Sequence, residues 1–232
     1  MNYSLRKTMV INEFFYSLQG EGSLAGVPSI FVRLAGCPLR CHWCDTKYAW
    51  DPQAGTPMSI EQILDGIQDF PTRYVVLTGG EPMVHDEICE VTSAIRGKGY
   101  HLTFETAGIK HVEGVQADLM SISPKLSNSE PPLNGGKQTS ERFNEDVLQT
   151  LMAAYDYQLK FVIDIAEDLN EVAGVLDRLE NVDLYKVFLM PQATQTAEYL
   201  EKARWLVEYC KQTGFSFSPR LQIMLWGQQR GK

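Results

Sequence analysis

Three of the chain's five cysteines, Cys37, Cys41 and Cys44, fall within eight residues of the run Gly36-Cys37-Pro38-Leu39-Arg40-Cys41-His42-Trp43-Cys44-Asp45-Thr46. An odd total with three members crowded into one loop makes a poor disulfide framework and a good ligand cluster. Thiolates at Cys-x3-Cys-x2-Cys spacing can converge on one inorganic centre, because a tight loop turns both its sulfurs and its backbone amides inward. A structural zinc site wants four closed ligands, and an electron-transfer 4Fe-4S cluster wants four cysteines. Three in one loop therefore point to a cluster with one iron left open for an exchangeable ligand. A zinc loop completed by His42, Cys89 or Cys210 is the alternative on the cysteines alone.

Such a loop needs a frame. Apolar runs at 29–34, 74–77, 101–104, 119–122, 158–163, 184–189 and 216–222 read as strands, and amphipathic stretches at 59–69, 85–98, 140–154, 167–179 and 196–213 read as helices. Ser59 and Gln62 form a capping box, and Gly99 and Gly214 stop two of the helices. Repeated strand-then-helix order predicts an α/β fold: a partial (β/α) barrel, mostly parallel, in a single domain spanning 1–232 whose short terminal extensions reach the site. The stretch 125–139, with Pro131, Pro132, Gly135 and Gly136, is a lid candidate and equally a plain disordered loop. Cys89 and Cys210 lie within helical patterns and read as small buried hydrophobes; His85, His101 and His111 have no partner that the sequence argues for.

Composition excludes several classes. The 232 residues are 44% hydrophobic and 22% charged, which leaves no room for a disordered or fibrous reading. With 21 Lys and Arg against 29 Asp and Glu the net charge is −8, so a general attraction to nucleic acid is not expected. No apolar run approaches the roughly 20 residues of a membrane span, and Asn12 and Glu13 interrupt the stretch where a signal-peptide core would sit. The expectation is a cytoplasmic protein without membrane or nucleic-acid partners.

In a parallel sheet, ligand groups belong at the C-terminal ends of strands. Thr78-Gly79-Gly80-Glu81-Pro82 follows one predicted strand, Glu105-Thr106-Ala107-Gly108 the next, and Ser123-Pro124-Lys125 the one after. Two residues without Cβ let backbone carbonyls approach a cation, hydroxyls suit a ribose, and Lys125 suits a carboxylate. Each alone is as readily a turn, a cap or a surface lysine.

The pattern Cys-x3-Cys-x-aromatic-Cys, with Trp43 before the last cysteine, resembles the radical S-adenosylmethionine (SAM) superfamily, and Gly79-Gly80-Glu81-Pro82 matches its segment for the methionine ammonium. Phe14-Phe15-Tyr16-Ser17-Leu18-Gln19-Gly20-Glu21-Gly22, then Phe31-Val32-Arg33-Leu34-Ala35-Gly36-Cys37, Cys44-Asp45-Thr46, the segment from Ser121 to Lys125, and Leu225-Trp226-Gly227 look like the 7-carboxy-7-deazaguanine synthase family. That resemblance implies a lyase of queuosine and deazapurine biosynthesis. In it 6-carboxy-5,6,7,8-tetrahydropterin contracts to 7-carboxy-7-deazaguanine with loss of ammonia, started by a SAM-derived radical that takes a hydrogen and later returns it, with no catalytic side chain beyond that radical.

The resemblance further implies a 4Fe-4S cluster on Cys37, Cys41 and Cys44, SAM contacts at Trp43, Asp45, Gly79, Gly80, Glu81, Glu105, Ser123, Pro124, Lys125 and Gln192, and Mg²⁺ at Thr46. Substrate contacts fall at Leu18, Gln19, Gly20, Glu21, Arg33, Thr78 and Gln222. By charge, Arg33 offers a bidentate fork for the substrate carboxylate, while Gln19 and Glu21 offer acceptors to the pterin's donor edge. Two departures stand out: Met190-Pro191-Gln192 where relatives have Gln-Pro, and Gln222 where relatives often have a His. A glutamine cannot titrate near neutrality. Implied partners are an external one-electron donor of the flavodoxin or ferredoxin type and a second copy in a homodimer. Competing readings are a radical SAM activase that makes a glycyl radical on a partner enzyme, and a non-catalytic iron-sulfur or zinc module.

Overall fold

A computed structural model describes residues 8–131 and 142–232. Among these, nine strands form one open sheet in the order β3-β1-β2-β4-β5-β6-β7-β8-β9. They are β1 (Thr8–Leu18), β2 (Pro28–Leu34), β3 (Thr56–Ser59), β4 (Tyr74–Gly79), β5 (His101–Thr106), β6 (Leu119–Ile122), β7 (Tyr157–Ile163), β8 (Val187–Pro191) and β9 (Ser216–Phe217). From β2 to β9 every neighbouring pair is parallel, while β1 runs antiparallel to both β2 and β3. The expected partial barrel is thus present, open rather than closed. No described helix is long and apolar enough to cross a membrane.

Among the described residues five α-helices return the chain between strands, α1 (Ile60–Gln68), α2 (Ile88–Gly97), α3 (Glu145–Ala154), α4 (Asp168–Leu176) and α5 (Thr196–Thr213), and α6 (Leu221–Trp226) follows the last strand. The Ser59–Gln62 capping box starts α1, with Gln62 N–H donating to Ser59 Oγ at 3.3 Å and Ser59 N–H to Gln62 Oε1 at 2.8 Å. Gly214, at φ 79°, ends α5 in the left-handed conformation. Leu77, Phe104, Ile122, Phe161 and Leu189, one from each successive parallel strand, are fully buried in one continuous core with Ile63 and Ile67 of α1 and Val91 and Ile95 of α2. Every residue of β7 is buried, as expected of a parallel strand covered on both faces.

The elements differ from the sequence expectation in several places, and β3 and α6 have no counterpart in it. β1 has no counterpart there, because Asn12 and Glu13 break its apolar alternation; the register slips at this point, and Asn12 turns to bond the carbonyls of Tyr48 and Ala54. The expected strand 216–222 pairs only at Ser216–Phe217, since Pro219 cannot donate to a ladder and α6 begins at Leu221. Residues 184–186 form a 3₁₀ turn ahead of β8, and a second 3₁₀ turn at Pro82–Val84 delays α2 to Ile88. The lid candidate 125–139 lies mostly outside the described residues, as do the first two residues of the expected helix 140–154; within 125–131 the chain makes a 3₁₀ turn at Ser127–Ser129.

Candidate active site

The C-terminal ends of the parallel strands open on a cavity of ≈ 270 Å³. Cys37, Cys41 and Cys44 line one side of it; Glu21, Glu105, Lys160, Arg220 and Gln222 line another. Of the residues singled out from the sequence, the cavity gathers all but Glu81 and Pro124.

The cysteine side is held by backbone. Gly80 N–H donates to Leu34 O at 3.0 Å and Glu81 N–H to Gly36 O at 2.9 Å, so the end of β4 is laced to the start of the loop. The approach is so close that a Cβ on Gly80 would lie 2.1 Å from Gly36 O and 2.7 Å from Cys37 Cβ. The glycine pair is therefore also a packing requirement of the loop. Glu81 is buried and turned inward, its carboxylate accepting from Met83 N–H (3.1 Å), Thr106 Oγ1 (2.7 Å) and Ala107 N–H (2.7 Å). Burial pushes its carboxyl up, against the pull of those donors and Lys125. Its visible work is to tie the end of β4 to that of β5. Burial also pushes the Cys37 thiol up to about 11, assisted by Glu81 and the two neighbouring cysteines, so a metal must displace its proton.

At the next strand ends Lys125 Nζ donates to Ser123 Oγ and Ser123 O, both at 2.8 Å, and lies 5.9 Å from the Trp43 ring. Gln192 reaches the cavity with its Oε1 taken by Lys202 Nζ at 3.3 Å, and Met190 lines the cavity beside it.

The opposite side is a charge network. Lys160, buried on β7, sits between Glu21 Oε2 at 2.8 Å and Glu105 Oε2 at 3.0 Å. Arg220 Nε approaches Glu21 Oε1 at 3.4 Å, its Nη1 donates to Ala193 O at 2.7 Å, and its Nη2 pairs with Asp45. Gln222 Nε2 donates to Glu21 Oε1 at 2.7 Å, and Gln19 Nε2 reaches Glu105 Oε1 at 3.4 Å. Burial alone would raise the Glu21 carboxyl, but Lys160 and Arg220 overcome it and hold the group down at about 2. The same two glutamates push the Lys160 ammonium above its usual range despite its burial. Leu221 N–H donates to Gly20 O at 3.0 Å, which seats α6 so that Gln222 lies against Glu21. A Cβ on Gly20 would stand 1.9 Å from Gln222 Oε1.

Arg33 lines the same cavity, with Thr78 at the paired position on β4. Its Nε donates to Glu13 Oε2 at 2.8 Å, and among the described residues its terminal nitrogens have no hydrogen bond, so they can take an anion; Tyr48 Oη (2.9 Å) and Arg230 Nε (3.0 Å) hold the same carboxylate. Thr46 Oγ1 donates to Asp45 Oδ1 at 2.8 Å on the same cavity wall.

Residues 31–172 match the Radical SAM superfamily. The chain is 38% identical to the 7-carboxy-7-deazaguanine synthase of Halobacterium salinarum, over 93% of this chain and 90% of that protein. It is 39% identical to the synthase of that name from Rhodopirellula baltica, over 97% and 89%. The chain belongs to the 7-carboxy-7-deazaguanine synthase family. The crystal structure of QueE from Escherichia coli agrees with the fold, at TM-score 0.70 and 27% identity over 91% of this chain and 93% of that one.

The synthase family is one of radical SAM enzymes, which implies a 4Fe-4S cluster and SAM, and the loop fits that pair better than zinc. His42 is exposed and off the cavity, Cys89 donates to Glu113 O at 3.2 Å and Cys210 to Ser216 O at 3.8 Å, so none of the three candidates supplies a fourth ligand to Cys37, Cys41 and Cys44. Sequence reasoning missed Lys160, Arg220, Glu13 and Tyr48. Lys160 had a signal, since it is a charge inside the run 158–163 that reads as a strand, and a charge in such a place needs a partner; Glu13 had none, because it breaks the alternation that would have marked its strand. Arg220 and Tyr48 carried none.

Proposed function

We propose that this chain contracts 6-carboxy-5,6,7,8-tetrahydropterin to 7-carboxy-7-deazaguanine with release of ammonia. The observation that carries the reading is a single cavity lined by three thiols, by paired carboxylates and by an arginine fork. Bound on Cys37, Cys41 and Cys44, the cluster and SAM supply the radical that starts the rearrangement. The protein's part is binding and orientation. Arg33, aimed by Glu13, takes the substrate carboxylate. Glu21 and Gln19, with the buried Gln222 Oε1 that has no partner among the described residues, face the pterin's donor edge; Leu18, Gly20 and Thr78 complete that wall. Because Glu21 stays ionised, it accepts without exchanging a proton. Gln222 likewise positions and does not titrate.

Trp43, Asp45, Gly79, Gly80, Ser123, Lys125 and Gln192 form the SAM side, which Glu105 meets from the charged network, with Glu81 and Pro124 supporting it from behind. Thr46 offers one hard oxygen, which suits a Mg²⁺ that keeps waters and takes substrate oxygens for the rest. The working unit in this reading is one radical SAM domain over the whole chain, a cytoplasmic homodimer reduced by a flavodoxin or ferredoxin. An activase would need no Glu21 and Arg33 pair for a small molecule, which disfavours that rival.

The test is anaerobic turnover of the reconstituted protein with the carboxypterin, SAM and a reductant, followed by mass analysis. The expected product is the deazaguanine acid, with ammonia released and SAM not consumed in proportion. Cleavage of SAM with the pterin untouched would count against the reading.

A further inference from the structure

Arg142 lies outside the cavity wall, yet it touches the cysteine loop. It is 9% exposed, and its Nη2 donates to Cys41 Sγ at 3.5 Å and to Ser129 O at 2.8 Å. His42 N–H donates to the same Ser129 carbonyl at 3.2 Å, so the 3₁₀ turn at Ser127–Ser129 joins the guanidinium to the loop from both sides. No ion pair among the described residues involves Arg142, and its Nε has no hydrogen-bond partner among them. A buried guanidinium with no anion among the described residues is costly to leave unpaired, and besides the Ser129 carbonyl it is the sulfur of Cys41 that accepts from it. Arg142 does not line the cavity, so it acts on the loop from behind, through the Cys41 sulfur and through its charge.

We propose that Arg142 is a positioning residue for the iron-sulfur cluster, donating to the Cys41 sulfur and raising the cluster's reduction potential. The inference rests on the family reading that Cys37, Cys41 and Cys44 hold a 4Fe-4S cluster. A reduced cluster carries one more negative charge than an oxidised one. A donor hydrogen bond to a ligating sulfur and a nearby fixed cation both favour the more negative form. Arginine keeps its charge at every working pH, so the bias is constant.

The experiment is a redox titration, followed by electron paramagnetic resonance, of reconstituted wild-type protein, Arg142→Met, Arg142→Lys and Arg142→Gln, without SAM or pterin. At a fixed potential the reduced-to-oxidised ratio in Arg142→Met is expected to fall about tenfold, a shift of about 59 mV to more negative potential for a one-electron couple. Arg142→Lys should recover part of that shift and Arg142→Gln less. Asn128→Ala loosens the same turn, through lost bonds to Trp43, Val162 O and Asp168, without touching Cys41, and should leave the potential in place. A wild-type potential in Arg142→Met, or an equal shift in Asn128→Ala, overturns the proposal. If Arg142→Met loads no iron, Lys and Gln variants of equal potential overturn it, and a Lys value above the Gln value supports it. Wild-type protein that assembles no cluster overturns the family reading instead.

Discussion

The two sides of the cavity are built on opposite principles. The cysteine side is local: three ligands within eight residues, closed by backbone hydrogen bonds to the adjacent strand end. The charged side is assembled from β5, β7 and the two ends of the chain, with Glu21 and Arg220 199 residues apart in sequence. One presents three cysteine sulfurs to a metal; the other satisfies its charges against one another before any ligand arrives. The lesson is that cofactor binding and substrate reading can rest on different physics in one cavity. They should therefore fail separately.

The largest expected effect comes from Lys160→Met. It leaves the partly buried Glu21 and Glu105 without their shared buried cation; breaking a fully buried pair costs about 3–5 kcal/mol, and the partial exposure of the two carboxylates places this loss at or below the lower end. Arg220 stays beside Glu21 and softens the loss at that end. Urea unfolding should show the drop, and affinity for the carboxypterin should fall with it, while iron loading per folded chain stays at the wild-type level. A collapse of iron loading among chains that remain folded would erase the distinction between the two sides.

Gly80→Ala probes the other side and should cost less. The new Cβ meets a backbone oxygen and Cys37 Cβ, neither of which is the free end of a flexible side chain. Forcing atoms into a packed site costs about 1–3 kcal/mol. The expected pattern is the mirror image of the lysine variant: impaired iron loading and SAM binding, with carboxypterin affinity retained. Gly97→Ala is the matched control. Nothing lies within 4 Å of its Cβ, so the helix α2 should gain about 0.4–1 kcal/mol from the stiffer unfolded chain.

The same contrast explains what the sequence could reveal. The cysteine loop and the Gly79–Gly80 turn are legible because their chemistry is set by spacing along the chain, and the parallel βα order is legible from hydrophobic period. Lys160 becomes a site residue only through the register that carries β7 past β6 to face β5, and Arg220 only because Pro219 ends β9 and lets α6 turn back on Gly20. Long-range registers of this kind leave no local signature. β1 was hidden for a related reason. Its Glu13 is polar within a strand because it aims Arg33 from the neighbouring one, so function overrode the alternation that would have announced the strand.

The smallest effect near neutrality, and the sharpest on acid titration, concerns the charged side alone. Glu21 is held at about 2 in the folded chain against its ordinary 4.5, so the folded state binds its proton less readily than the unfolded one. Its contribution is therefore complete above about 4.5 and is lost as the pH falls toward 2. Lys160, raised from 10.5, has the opposite sign: its contribution is complete below 10.5 and is lost only at higher pH, as its own proton leaves. Between these limits the network should be insensitive to pH. Urea unfolding of the wild type and Glu21→Gln over a pH series checks this. The two curves should run parallel from pH 6 to 8 and converge below 4.5, as the wild type loses what the variant never had. Curves that stay parallel down to the acid transition would mean that Glu21 is not held down by Lys160 and Arg220, and that this side of the cavity is no more paired than the cysteine side.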